Sequence, residues 1–350
     1  MEPRKVVVLG AGGLVAQRLQ QRLHHHPWFE MVAIAGSPNT AGQSIDSVPW
    51  VLDDPRPGLP DLTIMNVADP ASAKQCREAG VIAAFCALPA DAAAVVEPMW
   101  AAAGITVLSN ASAHRLAKGV PLVVPEVNPD AILQLDGEQR LACATNCTLV
   151  PLLLPLAALH ETFGLTAYTM RSEQGLSGGG HGYMVAALAA GEVHPDIPGE
   201  AEKTDAEFRR VLGWNGTSKV ACARVMRPEG HLVVVEASFR QPVTASQAVE
   251  CMQAWTGRRP TAHLPSAPYR PLVVVEDVDP NVHLMGDGDA FWPHGQAATC
   301  LKAGMAVVVG SVTSPSPNTV RFEGYSHNAV RGAAGGVVFL AELACDNGLL

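Results

Sequence analysis

Two residues far apart in this chain have the types and settings needed for covalent chemistry. Cys147 stands in Cys143-Ala144-Thr145-Asn146-Cys147-Thr148, where a strand is expected to end and a helix-like stretch, Thr148 to Thr162, begins. A cysteine at a helix N-terminus has its thiolate stabilised by the dipole and by unsatisfied N–H groups, which suits a nucleophile. Taken singly, a cysteine is more often a small buried hydrophobe, and that reading applies to Cys143. A nucleophile also needs a proton donor or acceptor. Among twelve histidines, His231 has the most suggestive setting, Arg224-Val225-Met226-Arg227-Pro228-Glu229-Gly230-His231, with a glycine for a sharp turn and an apolar run directly after it. Arg224 offers a planar fork to a carboxylate. His24, His25 and His26 precede Pro27 at a helix end and are expected to be solvated.

A second chemistry-bearing segment opens the chain. Lys5 to Leu9 is a buried-strand run that enters Gly10-Ala11-Gly12-Gly13-Leu14-Val15-Ala16, after which helical spacing continues to Leu23. A glycine loop between a strand and a helix is the context for dinucleotide binding. Gly10 makes the tight turn, small residues at Gly12, Gly13 and Ala16 admit the pyrophosphate and the packed helix, and the N-terminus at Leu14 and Val15 offers N–H groups to phosphate. After the next strand, Met31 to Ala35, the chain reads Gly36-Ser37-Pro38-Asn39-Thr40-Ala41-Gly42. No acid stands there for a ribose 2′-hydroxyl and no arginine for a 2′-phosphate. Ser37, Asn39 and Thr40 can hydrogen-bond a phosphate, which favours NADP and leaves NAD possible.

These residues need elements to hold them. Leu62 to Met65, Val81 to Ala87 and Ile105 to Leu108 alternate with helical stretches, the pattern of an α/β, Rossmann-type doubly wound parallel sheet. Beyond residue 145 the texture changes. The apolar runs Leu232 to Phe239, Pro271 to Asp277 and Gly304 to Val312 predict an α+β substrate and dimerisation domain with a mixed sheet, while the glycine cluster Ser177 to Gly182 reads as irregular. The expected division is 1–145 for the dinucleotide, completed by a C-terminal helix over 330–350, and 146–329 for catalysis and dimerisation. Three long apolar strands are more than one helix layer is expected to cover, so a second copy is expected on an open apolar face.

Composition narrows the class. In 350 residues, 48% are hydrophobic, 16% charged and 5% aromatic, with net charge −9 and no basic run, so nothing points to nucleic acid. No apolar stretch reaches membrane-spanning length, and the first residues run straight into a strand, so a cytoplasmic protein is expected. The eight cysteines lack metal spacing, and no metal is expected.

Several segments together resemble the aspartate-semialdehyde dehydrogenase family, in particular its archaeal and fungal branch, over nearly the whole chain. The opening VVLGAGGLVAQRL is similar to that family's cofactor loop, and Ala87-Leu88-Pro89 to its second cofactor-contacting loop. Ser109-Asn110-Ala111-Ser112-Ala113-His114-Arg115 and Val120 through Pro129 form a longer match. The resemblance implies Cys147 as nucleophile after Asn146, His231 as acid–base, and Arg224 for a substrate carboxylate. It further implies Gln174 ahead of the Ser177-Gly178 cofactor loop, Glu200 for an amino group, Lys203 and Arg115 for phosphate, and Asn328 near the nicotinamide. The implied reaction is NADP-dependent reductive dephosphorylation of an acyl phosphate through a cysteine thioester, with inorganic phosphate as co-substrate in the other direction and a homodimer or tetramer as the active unit. Thr145, Asn39, Gln43 and Ala201 depart from the family's pattern, and Arg171 competes with Gln174 for its place. The rivals are a sister reductase acting on N-acetylglutamyl phosphate or malonyl-CoA, and a silent dinucleotide-binding homologue; Glu200 speaks for a free amino group and against both sister substrates.

Overall fold

The computed structural model describes residues 2–293 and 300–350. Its first half winds β1 (Arg4–Leu9), α1 (Leu14–Leu23), β2 (Phe29–Gly36), β3 (Met65–Asn66), α2 (Pro70–Glu78), β4 (Ala83–Cys86), α3 (Ala90–Ala102), β5 (Thr106–Ser109) and β6 (Leu141–Cys143) into a parallel sheet of order β3-β2-β1-β4-β5-β6. Val6 to Leu9 and all of β4 and β5 are buried, as expected of parallel strands covered on both faces. Strand order reverses between β1 and β4, and the crevice beyond their C-terminal ends is where such sheets bind ligands. The loops at Gly10 and Ala87 flank that crevice.

The chain then runs through α4 (Leu149–Phe163), β7 (Leu165–Gln174), α5 (His181–Ala190), α6 (Glu200–Leu212), β8 (Thr217–Arg224), β9 (His231–Phe239), α7 (Ala245–Ala254), β10 (Leu272–Val274), β11 (Val307–Ser316) and β12 (Thr319–Ser326). These strands make a mixed sheet of order β10-β11-β12-β9-β7-β8. A π-turn, Val330–Ala334, leads into α8 (Gly335–Asp346), which returns to pack against α1 and β5. Helix α4, LVPLLLPLAALHETF, is buried along almost its whole length and shares one apolar cluster with strands of both sheets. A helix apolar all round has to be covered all round, and that is why Cys147, just before its first turn, lies between the two sheets.

Four expectations need correction. The strand expected over Pro271 to Asp277 is only Leu272–Val274, and the glycine cluster contains a 3-10 turn, Leu176–Gly179, followed at once by α5. His26 is buried and bonds Glu342 of α8 at 2.9 Å, so only its neighbours His24 and His25 reach solvent. The open face of the mixed sheet is not apolar. Val233, Val235 and Ala237 point into the core; on the other face Leu232, Tyr325 and Val308 are covered by Leu284 and Met285, with Val234 packed at the edge of that cluster. The part left open carries Thr169, Arg171, Glu173, Glu236, Arg321 and Glu323. Among the described residues, α5 exposes three large hydrophobic side chains, Tyr183, Val185 and Leu188.

Candidate active site

Strand β9 begins at His231 because Gly230 turns the chain at φ +88°, where an added Cβ would collide with the Tyr325 hydroxyl. That start brings His231 Nε2 to 3.2 Å from Cys147 Sγ. The ring is fully buried. Gly175 N–H donates to its Nδ1 at 3.1 Å and reaches the Gly230 carbonyl at the same distance. Nδ1 accepting that bond leaves the proton of the neutral ring on Nε2, facing sulfur. The Gly230 carbonyl beside the ring favours a protonated nitrogen, so the alternative tautomer, with a lone pair toward the thiol, also has a partner. Burial first, with Arg224 adding and the Gly230 carbonyl opposing, holds the imidazole down at about 3. Burial also pushes the Cys147 thiol up to about 11; Glu200 adds to this, and Arg115 and Arg224 oppose it. The expected thiolate is therefore a thiol in the ligand-free site, and the helix end does not outweigh the loss of water.

The nucleophile loop is held from several sides. Asn146 Oδ1 accepts from Leu149 N–H at 2.8 Å, capping α4, and its Nδ2 donates to Thr204 Oγ1 at 3.3 Å. Such a cap is worth about 1 kcal/mol, and the Asn146 amide is largely committed to it. An added Cβ on Gly332 would lie 2.5 Å from Cys147 Cβ, so the segment ahead of α8 closes directly on the nucleophile.

A cavity of about 370 Å³ opens beside Cys147 and brings together Asn146, Gln174, Glu200, Lys203, Arg224 and Arg115 with Leu14, Val15, Leu88, Ser177, Gly178 and Asn328. Another cavity, about 430 Å³, lies beyond Leu14 between Arg18, Leu188 and Glu229. It lacks Cys147, which lines the first, so the chemistry belongs to the first. Arg224 donates to the Gly175 carbonyl at 2.9 Å and lies over the Tyr183 ring. Glu200 pairs with Lys203 at 2.8 Å and accepts from Thr148 Oγ1 at 3.3 Å. Burial alone would raise the Glu200 carboxyl, but Lys203 and its other partners hold it below the usual range. Gln174 is buried at the cavity; Arg171 is exposed on the opposite sheet face, paired with Glu173 at 2.7 Å.

The dinucleotide residues fall into two groups. Gly10 turns at φ +118° with Ala16 and Ala87 packed close, and Gly13 has nothing within 4 Å of an added Cβ, so the backbone there is open to a ligand. Gly12 adjoins Val48, and Pro89 stands at the start of α3. Ser37, Asn39 and Thr40 form a surface turn at the end of β2, with Thr40 Oγ1 donating to the Ser37 carbonyl at 3.0 Å. Asn328 is a structural tie: its Oδ1 accepts from Gly230 N–H at 2.7 Å and its Nδ2 donates to Ser177 Oγ at 2.9 Å, joining the histidine turn to the glycine loop. Sequence reasoning missed Thr148, Thr204, Gly332 and Glu207. The signal available was the spacing of Glu200, Lys203, Thr204 and Glu207, one helical face made of polar residues.

Residues 5–135 match the semialdehyde dehydrogenase NAD-binding domain family. The whole chain is similar to an aspartate-semialdehyde dehydrogenase of Archaeoglobus fulgidus, 33% identical over 97% of both chains. The chain belongs to the aspartate-semialdehyde dehydrogenase family. A malonyl-CoA reductase (NADP) of Metallosphaera sedula is 28% identical over 99% of this chain and 98% of its own. Among solved structures, the aspartate semialdehyde dehydrogenase of Candida albicans with NADP superposes at a TM-score of 0.80, 26% identical and covering 100% of both chains. The two-sheet architecture and the parallel first sheet are thus those of the family.

Proposed function

We propose that this chain is an NADP-dependent aspartate-semialdehyde dehydrogenase that reduces β-aspartyl phosphate to the semialdehyde through a thioester on Cys147. The observation that carries the reading is the 3.2 Å pair of Cys147 Sγ and His231 Nε2 at a cavity with a counterpart for each charge of that substrate. Arg224 takes the α-carboxylate, Glu200 the α-ammonium, and Arg115 with Lys203 the phosphate, while Gln174 orients the chain between them. Glu200 and Lys203 are paired in the ligand-free site, so substrate charges replace an existing ion pair instead of entering a bare one. An N-acetyl or malonyl substrate offers no ammonium to the Glu200 carboxylate and would leave it to its pair with Lys203.

Cys147 Sγ attacks the acyl carbon as its proton passes to His231, phosphate leaves along Arg115 and Lys203, and a thioester remains. Gly10–Val15, Leu88–Pro89 and Ser177–Gly178 would hold the dinucleotide, which when bound would supply the hydride. His231 Nε2–H then faces the oxygen that develops charge, protonates it, and takes that proton back as the C–S bond breaks, so that the semialdehyde leaves and the proton returns to Cys147. Asn146 N–H cannot serve as oxyanion donor, because Glu207 already takes it at 2.7 Å. In this reading 1–145 with 330–350 holds the cofactor, and 146–329 carries the chemistry.

Ser37 and Thr40 hydroxyls, with no acid between Ala35 and Gly42, support a preference for NADP over NAD, less sharp than a basic pocket would give. With aspartate semialdehyde, NADP reduction followed at the nicotinamide band is expected to require inorganic phosphate and to run at lower cofactor concentration than with NAD. A rate that needs CoA instead of phosphate would favour the acyl-CoA alternative; tighter NAD binding would overturn the cofactor preference.

The same reading includes a homodimer, or a tetramer built from it. Its support is the uncovered sheet face, where Arg321 meets Glu236 at 2.6 Å and Arg171 meets Glu173, charges of both signs that a two-fold copy can match, together with the exposed apolar side of α5. Val234 stands half-buried on this face, at the edge of the cluster around Leu232 and Tyr325. Val234→Asp is expected to dissociate the protein in sedimentation and lower activity with it. A wild type that sediments as an active monomer at low micromolar concentration would exclude the dimer.

A further inference from the structure

Helix α6 presents Glu200, Lys203, Thr204 and Glu207 at helical spacing. The first two face the substrate cavity and Thr204 bonds Asn146 Nδ2. Glu207 lines no part of the cavity and is 1% exposed, yet both its oxygens are engaged with the site. Oε1 accepts from Arg115 Nη1 at 3.1 Å, and Oε2 accepts from the backbone N–H of Asn146 at 2.7 Å. Arg115 is further fixed by Nη2 donating to the Asn110 carbonyl at 2.7 Å. Its Nε is buried with no hydrogen-bond partner among the described residues, and Arg115 itself lines the cavity.

We propose that Glu207 is a positioning residue that ties the anion-binding edge of Arg115 to the cysteine loop, so that one carboxylate sets both the phosphate site and the nucleophile. The phosphate half rests on the acyl-phosphate reading above. A carboxylate is required because it accepts on both sides. A glutamine would turn its NH₂ toward either the Arg115 guanidinium or the Asn146 N–H, a donor against a donor, and one tie would be lost in either orientation. With its counter-charge gone, Arg115 would also act more strongly on Cys147, whose thiol it already pulls downward.

The test uses the intact ligand-free protein, with iodoacetamide alkylation of Cys147 followed by mass and inorganic phosphate as the protecting probe. In Glu207→Gln the phosphate concentration for half-protection is expected to rise roughly tenfold or more, the loss typical of a charged hydrogen bond. The alkylation pH profile is expected to move to lower pH, while NADP affinity stays at the wild-type value. A residue that only fills space would move neither readout in that direction. Glu207→Asp keeps the charge but is one methylene short, so it should recover part of the phosphate affinity, and it carries the test should the glutamine variant not fold. Wild-type phosphate protection and an unshifted pH profile in the substituted protein would overturn the proposal. A wild type that phosphate does not protect would sink the acyl-phosphate reading, and the pH profile would still judge Glu207.

Discussion

Cys147→Ser is expected to lower turnover by roughly four orders of magnitude or more, with NADP affinity unchanged. Serine preserves the size of the side chain and its hydrogen bond to His231, so α4, the Asn146 cap and the cavity should stand. What is lost is chemical. An alcohol is far harder to ionise than a thiol, and an ester oxygen leaves less readily than sulfur. Mass measurement after mixing with acyl donor should show the acyl adduct on the wild type alone. The thiol's position at about 11 adds a sign to this. Below that value the ligand-free enzyme holds Cys147 protonated, so its alkylation by iodoacetamide should climb steadily from pH 8 upward. A plateau already reached at neutral pH would mean a standing thiolate and would contradict the desolvated thiol. Substantial turnover by the serine variant would remove Cys147 from the mechanism altogether.

The parts of this site that sequence exposes are those announced by their own neighbours. Gly10 follows a buried strand and opens a helix, and Cys147 and His231 each stand at a junction marked by local composition. The parts it hides depend on distant segments. Glu207 stands in a helix that reads as a solvated face, and Arg115 and the cysteine loop, 61 residues earlier, turn that face inward. His26 has the setting of a solvated helix end, yet Glu342, 316 residues later, buries it. Strands β7, β8 and β12 were less legible than β9 for a related reason. Their open side carries Thr169, Arg171, Lys219 and Arg321, so each alternates where a continuous apolar run was sought. The same alternation overturned the expected apolar dimer face. A strand core of Val233, Val235 and Ala237 says that one side is buried and leaves the other side unspecified.

His231→Gln should then lower kcat by about 10²–10⁴ while KM for aspartate semialdehyde changes only severalfold. The ring is fully buried behind Cys147, and Arg224, Glu200 and Gln174 at the cavity carry the binding. Glutamine can still donate a hydrogen bond toward sulfur and accept from Gly175 N–H, so the fold of the turn at Gly230 should survive. It cannot carry a proton from the thiol to the substrate oxygen. The pH dependence separates this role from a binding one. With the imidazole held near 3 by burial and by Arg224, the free enzyme keeps His231 neutral across the whole working range, and its pH profile should lack the usual histidine step near neutrality. The rising limb should instead follow the Cys147 thiol. A break near pH 6.5 in kcat/KM that disappears in His231→Gln would show a ring titrating in the free enzyme, against the desolvation seen here. A variant with unchanged kcat and raised KM would move the proton transfer to another group.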